Sequence, residues 1–303
     1  FPLYRSRGKP LRVRSCPFVA HLCVAAALFS APTRAEEIRV ELPHGQVETV
    51  DLEEYVAKVV SAEVPSSWPL AALEAQAVAA RTFALAQKVA QGPLSRAHLR
   101  ASVLDQAYAE GGTSVRAREA ARATHGEVLT YGAAPIAAYF SASCGGSSEA
   151  AEVAFHLAPG TTPYLAGARE DDADAGRRWT VRLPLAAISA ALRKAGRILA
   201  EVSGLSILER TASGRAREIL LRTSGGPRRV DASELRQILG YTTLPSLLFD
   251  VSVQRGTAVF RGRGSGHGVG LCQWGARSRA LRGSDYRAIL AHYYPGAEIR
   301  RMY

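Results

Sequence analysis

The chain has 303 residues, with 38 Lys and Arg against 27 Asp and Glu and a formal net charge of +11. Its 47% hydrophobic and 21% charged content supplies enough apolar side chain for a buried core, which excludes a disordered polyelectrolyte. No basic block is interleaved with aromatic residues, so the charge carries no nucleic-acid footprint.

Residues 1 to 14 hold Arg5, Arg7, Lys9, Arg12 and Arg14 and no acid. An apolar run from Pro17 to Phe29 follows, and then APTRA. That order predicts a secretory signal peptide over residues 1–35, cut after Ala35. The expected location is outside the cytoplasm, in the periplasm or cell envelope, with membrane contact only if the signal segment is retained as an anchor. Cleavage removes six basic residues and no acid, leaving 32 against 27 and a net charge of +5. Cys16 and Cys23 leave with the signal, while Cys144 and Cys272 stay. Two cysteines in an exported chain suggest one disulfide, with metal ligation and thiol catalysis open beside it.

From Ile38 to Val50, IRVELPHGQVETV alternates apolar and polar residues about His44-Gly45, which predicts a hairpin. DLEEYVAKVVSAEV opens on Asp51, a good N-cap, with Glu54 at the capping-box position. Leu52, Tyr55, Val56, Val59 and Val60 then recur at helical spacing, and Pro65 ends the helix. A second helix starts at Ser67 or Trp68, tolerates Pro69 in its first turn, and runs to Val89 ahead of Gly92-Pro93. Its many alanines let neighbours approach closely, as in a buried scaffold helix. VRAREAARATHG, residues 115–126, reads as a short helix capped by Gly126. EVLTYGAAPIAAYFSASCGG reads as two strands about Gly132 and a glycine-rich loop.

Beyond Pro163 the composition shifts. RWTVRLPLAAISAALRKAG predicts a strand and a helix ending at Gly196, and VSGLSILERTASGRAREILLRTSGG a hairpin turning at Ser213-Gly214. ASELRQILG is a short helix, and the chain carries no internal repeat. The fold class is α+β. A mixed helical and β core, residues 36–175 and 260–303, carries the cleft and is interrupted by a smaller α+β subdomain over 176–259.

Three segments can carry chemistry. Glu63 is a lone acid before a proline–tryptophan turn, where burial against Val64 and Trp68 would raise its pKa for general-acid work. The start of the next helix would favour the ionised form instead. GRGSGHGVGLCQWGARSRA sets five glycines around His267, and Gln273 and Trp274 suit sugar binding by hydrogen bonding and stacking. No lysine follows at the spacing of a phosphate-cradling loop. SASCGGSSEAAE places Cys144 where, with His267, it permits a thiol–imidazole pair or, with Cys272 as well, a zinc site.

Taken together, these stretches resemble the stage II sporulation protein D family, which includes the LytB amidase-enhancer proteins. The resemblance rests on AEVPSSWPLAALEAQAVAARTFAL, HGEVLTYGAAPIAAYFSASCGGSSEAAE, LERTASGRAREI, GRGSGHGVGLCQWGA and ILAHYYPGAEI, in order along the chain. It implies a lytic transglycosylase that cuts peptidoglycan strands stripped of their stem peptides, with Glu63 as the single acid and base and no cofactor. It also implies cleft positions for Trp68, Arg81, Ser143, His267, Gln273 and Trp274. Where some members bind zinc through a histidine, this chain has Ser141, so no metal is expected and a Cys144–Cys272 disulfide joining the two loops is favoured. Hydrolysis would need a second acid, for which Glu149, Glu152 and Asp171 are candidates. The resemblance leaves two other readings: a non-catalytic enhancer partnered with an N-acetylmuramoyl-L-alanine amidase, and a Cys144–His267 peptidase or amidase.

Overall fold

A computed structural model of the chain describes residues 36–102, 105–108, 112–170, 177–197 and 199–303. Asp51 joins its first hairpin to its first helix. The hairpin β1 (Glu37–Glu41) and β2 (Val47–Asp51) pairs Ile38 with Val50 across a turn at Gly45. Asp51 then caps α1 (Leu52–Glu63), its carboxylate accepting from the N–H groups of Glu53 and Glu54 at 2.9 and 3.1 Å. Val64 is already extended ahead of Pro65, so Glu63 is the last helical residue.

α2 (Leu70–Gln91) begins two or three residues later than its sequence predicts, because Pro69 takes the cap position. It is buried from Ala72 through Ala80 except at Glu74, and again from Arg81 through Gln87. Against it pack α1, α3 (Val115–Ala123) and β4 (Glu127–Tyr131). β3 (Leu99–Arg100) runs parallel to β1. α3 stops three residues short of Gly126, because the Thr124 hydroxyl turns back to the Ala120 carbonyl and ends the helix. The strand expected after Gly132 splits into β5 (Ala134–Pro135) and β6 (Phe140–Ser141), followed by the short α4 (Ala151–Ala154).

A second hydrophobic core forms from β7 (Arg178–Pro184), α5 (Leu185–Lys194), β8 (Val202–Arg210), β9 (Ala216–Thr223), β10 (Arg228–Asp231), α6 (Ala232–Leu239), β11 (Phe249–Gln254) and β12 (Thr257–Arg263). Two antiparallel sheets, ordered β10-β9-β8 and β11-β12-β7, enclose Ile188, Leu192, Ile219, Leu221, Leu235 and Phe260. The chain then returns to the first core through β13 (Leu271–Cys272), α7 (Gln273–Leu281), α8 (Tyr286–Tyr293) and β14 (Glu298–Arg301), which pairs with β4. The result is a mixed α+β fold. Among the described residues no helix is long and apolar enough to cross a membrane.

Arg81 corrects an expectation. It is 0% exposed and closed off from any cleft. Its guanidinium donates to both carboxylate oxygens of Glu53 at 2.8 and 2.5 Å, and to the carbonyls of Ala121 and Glu127. Glu53 also accepts from the Gly126 N–H and the Tyr303 hydroxyl. Burial alone would raise the Glu53 pKa, but the Arg81 contact, with Tyr303 and Gly126, holds it below the usual carboxylate range. Arg81→Ala leaves Glu53 buried without its cation, and urea unfolding should show a loss of about 3–5 kcal/mol. Arg287→Ala, which removes a half-exposed partner of Glu127, should cost about 1 kcal/mol or less. Because the folded-state pKa of Glu53 is depressed, its contribution is complete above the unfolded value of about 4.3 and is lost as pH falls through the lower folded value. A pH series of unfolding midpoints on the parent and Arg81→Ala chains should therefore converge in acid.

Candidate active site

Glu63 sits where α1 is forced to stop, half-buried, with its carboxylate held by two donors. The Ala107 N–H reaches Oε1 at 2.8 Å, and the Gln273 side-chain amide reaches Oε2 at 2.9 Å. Burial raises the Glu63 pKa, and the bonds from Gln273 and Ala107 offset part of that rise. Its place among the free carbonyls at the C-terminal end of α1 works in the same direction as burial. The net effect is a Glu63 pKa above the usual carboxylate value, with burial the largest cause.

Gln273 is delivered by a zipper of two loops. β13 runs parallel to β6, setting Cys272 beside Ser141, while Ser143 and Ser265 bridge in antiparallel fashion. Cys272 caps α7 by accepting the Gly275 N–H, and Gln273 is the first residue of that helix. The glycines of the loop serve this close approach rather than a ligand's. A Cβ on Gly270, whose φ is +68°, would lie 1.9 Å from the Tyr139 carbonyl oxygen. α7 is anchored to α8 through buried Glu170, whose Oε1 accepts from Tyr293, His292 and Arg279.

Beside Gln273, Trp274 meets Trp68 edge-on with ring centroids 5.2 Å apart, and the Arg277 guanidinium lies 5.3 Å from the Trp274 ring. Trp68 is only 7% exposed, so it braces Trp274 and leaves the latter to offer the more open face.

Gln76 is the residue that the sequence reading overlooked. It is 1% exposed on α2, and its Oε1 accepts from the Gln273 amide at 3.3 Å, fixing which way that amide points. Its own Nε2 is buried and finds no hydrogen-bond partner among the described residues. The available signal was a lone amide inside LAALEAQAVAA, a stretch otherwise built to be buried.

Several expected cleft residues lie elsewhere. Ser143 is 1% exposed and closes its own loop, its hydroxyl accepting from Gly145. His267 packs between the rings of Tyr139 and Phe155, and its Nδ1 accepts from the Val269 N–H. Burial, with the charges of Arg236 and Arg215, pushes its pKa down to about 4, so it is neutral near pH 7 and shares no hydrogen-bond partner with Glu63. The thiol–imidazole pair is not formed. Cys144 instead lies against Cys272, its N–H donating to the Cys272 sulfur at 3.1 Å. Both are free thiols, which replaces the expected disulfide with a hydrogen-bonded pair. The bond between the thiols lowers the Cys144 pKa and raises that of Cys272, and burial adds to the latter. No group of three or more His, Cys, Asp or Glu suited to a metal occurs among the described residues.

The candidate second acids are also engaged away from Glu63. Glu149 accepts from Ser213 and from the Ala150 N–H, Glu152 accepts from the Thr162 N–H, and Asp171 lies outside the described residues. Asp105, two residues before Ala107, accepts from the Arg100 N–H. Among the described residues no second carboxylate is hydrogen-bonded to Glu63, and its raised pKa comes from burial rather than from a neighbouring acid.

Comparison with known proteins gives the family of the chain. A family profile described as stage II sporulation protein matches residues 43–131, which include Glu63 and Gln76, and a domain of unknown function matches 165–270. An uncharacterized protein of Brachyspira hyodysenteriae is 32% identical over 255 residues, covering 84% of this chain and 67% of that protein. Stage II sporulation protein D of Bacillus subtilis is 29% identical, over 84% of this chain and 75% of its own length. The amidase enhancer of Bacillus subtilis is 28% identical over 80% of this chain, which spans only 39% of the enhancer. The chain therefore belongs to the stage II sporulation protein D family, in which amidase enhancers also fall.

Gln273→Leu removes a donor that favours ionised Glu63, so the already raised pKa should rise further; carboxyl-carbon NMR titration of Glu63 reads this directly. Gln76→Leu, which only frees the Gln273 amide to turn, should shift the titration in the same direction by less. An unchanged Glu63 titration in both variants would contradict the amide pair's role.

Proposed function

We propose that this chain is an exported peptidoglycan lytic transglycosylase that cuts the bond between MurNAc and GlcNAc with Glu63 as its acid and base. Family membership supports work on the cell wall, and the two fine points, reaction and residue, rest on the site. The observation that carries the reading is a raised-pKa carboxylate, held by the Ala107 N–H and the Gln273 amide, with no second carboxylate in hydrogen-bond contact among the described residues.

A protonated Glu63 gives its proton to the glycosidic oxygen as the bond from MurNAc C1 breaks, and GlcNAc leaves with a free 4-hydroxyl. The carboxylate so formed takes the proton from the C6 hydroxyl of the same MurNAc. That oxygen bonds to C1 and closes a 1,6-anhydro ring. Glu63 ends protonated, no water is consumed, and one carboxylate suffices where hydrolysis by the usual route needs two. Gln273 holds the carboxylate in place through both protonation states, and Trp274 offers a ring face for a sugar. The predicted leader over residues 1–35 supports export to a substrate that lies outside the cytoplasm.

Incubation with peptide-free glycan strands, followed by mass spectrometry, should yield anhydro-ended fragments from the parent chain and none from Glu63→Gln. Because the acid form of Glu63 starts the reaction, kcat/KM should fall as pH rises through its raised pKa. Hydroxyl-ended rather than anhydro-ended fragments would point to hydrolysis. Similarity to an amidase enhancer favours one second reading: tight strand binding without fragments, together with stimulation of an N-acetylmuramoyl-L-alanine amidase, would make this chain an enhancer.

A further inference from the structure

The sheet β11-β12-β7 has two faces of opposite character. Alternation turns Trp179, Val181, Phe249 and Phe260 into the second core. The other face presents Arg178, Arg182, Arg261 and Arg263, all exposed. The register sets Arg263 directly opposite Arg178. Like charges facing each other across an antiparallel pair are destabilising. Among the described residues, none of the four has a carboxylate within ion-pair distance. The acid that β11 contributes next to Arg261, Asp250, is held by Arg210 at 2.6 Å.

A hollow lies at each end of this face. One, of about 340 Å³, is lined by Arg169 and Arg263 with Ser147 and Ser213, and by Glu170, whose carboxylate is buried and accepts from Tyr293, His292 and Arg279. The other, of about 480 Å³, is lined by Arg182 and Arg255 with Gln254 and Thr257. Each therefore pairs two guanidinium groups with hydroxyl or amide groups. Guanidinium forks match carboxylates two bonds at a time, and every cation here is arginine. Four to six residues of β12 separate the hollows, roughly 13–20 Å of extended chain. Anions at that separation belong to a polymer rather than to one small ion.

We propose that this face is a binding track for a glycan strand whose muramyl lactyl carboxylates are free, separate from the Glu63 site. The proposal rests on the reading of peptidoglycan strands as substrate. A strand without stem peptides exposes one carboxylate per disaccharide along a hydroxyl-rich backbone, whereas an attached peptide converts that carboxylate to an amide. The track thus recognises strands from which an amide-cleaving reaction has already removed the peptides. β12 leads directly through residues 264–272 to Gln273, so the track and one of the two donors that hold the acid lie on one continuous segment.

The test uses the full chain carrying Glu63→Gln, so that strands are bound and not cut, with fluorescently labelled peptide-free strands titrated at low and high salt. Adding Arg182→Gln and Arg261→Gln should weaken binding by about tenfold, the loss expected for two charge-assisted contacts. It should also flatten the salt dependence. Because both changes remove crowded positive charge, the melting temperature should not fall. On the unaltered arginine face, strands with chemically amidated lactyl groups should bind as weakly as native strands bind the arginine variant. Equal affinity of the two chains, or of the two strand types, overturns the proposal. So does displacement by poly(glycerol phosphate) with no dependence on the lactyl carboxylate. If the parent chain yields no anhydro products while arginine-dependent binding persists, the catalytic reading fails and the track stands.

Discussion

The buried pair of Glu53 on α1 and Arg81 on α2 sets the frame on which the rest of the molecule depends. A buried ion pair is not in itself a gain over apolar groups of equal volume, because both charges must be taken out of water. What this pair adds is direction. One guanidinium ties α1 to the end of α3 and the start of β4, and one carboxylate reaches on to Gly126 and Tyr303. With the α1–α2 crossing fixed there, the ten residues from Glu53 to Glu63 carry the chain about 15 Å along the helix. The acid is thereby set down beside Gln76, which precedes Arg81 by five residues on α2.

Much of this frame is legible in the sequence. Asp51, Pro65 and Gly92 mark the ends of α1 and α2 because capping and proline geometry are local physics. The alanines of α2 announce a helix meant to be surrounded. The β8-β9 hairpin is visible in its Ser213-Gly214 turn, and β7 in the alternation of RWTVRLP. The boundaries that shifted did so for equally local reasons, such as the Thr124 hydroxyl ending α3 early.

The candidate site was less legible, and the failures share a cause. An arginine in a helix looks the same whether it faces a cleft or a carboxylate 28 positions away. His267 drew attention because its loop is rich in glycine, yet those glycines let the chain meet itself. A side chain at Gly270 would strike the Tyr139 carbonyl, and one at Gly268 the Arg215 guanidinium. The two cysteines were read for covalent or nucleophilic chemistry. Instead, one sulfur caps a helix and accepts the other's backbone N–H. Glu63, Gln273 and Trp274 do come together, because each stands at a forced chain end: the stop of α1 before Pro65, and the start of α7 after β13.

The contact between Gln273 and Glu63 joins positions 210 apart, across all the elements of the second core. During synthesis the helix bearing the acid emerges early, but the amide that steadies it cannot arrive until the intervening strands have been made. The carboxylate therefore lacks its Gln273 donor through most of the chain's manufacture. The site is, by this ordering alone, incomplete until almost the whole length of the chain has been translated and folded.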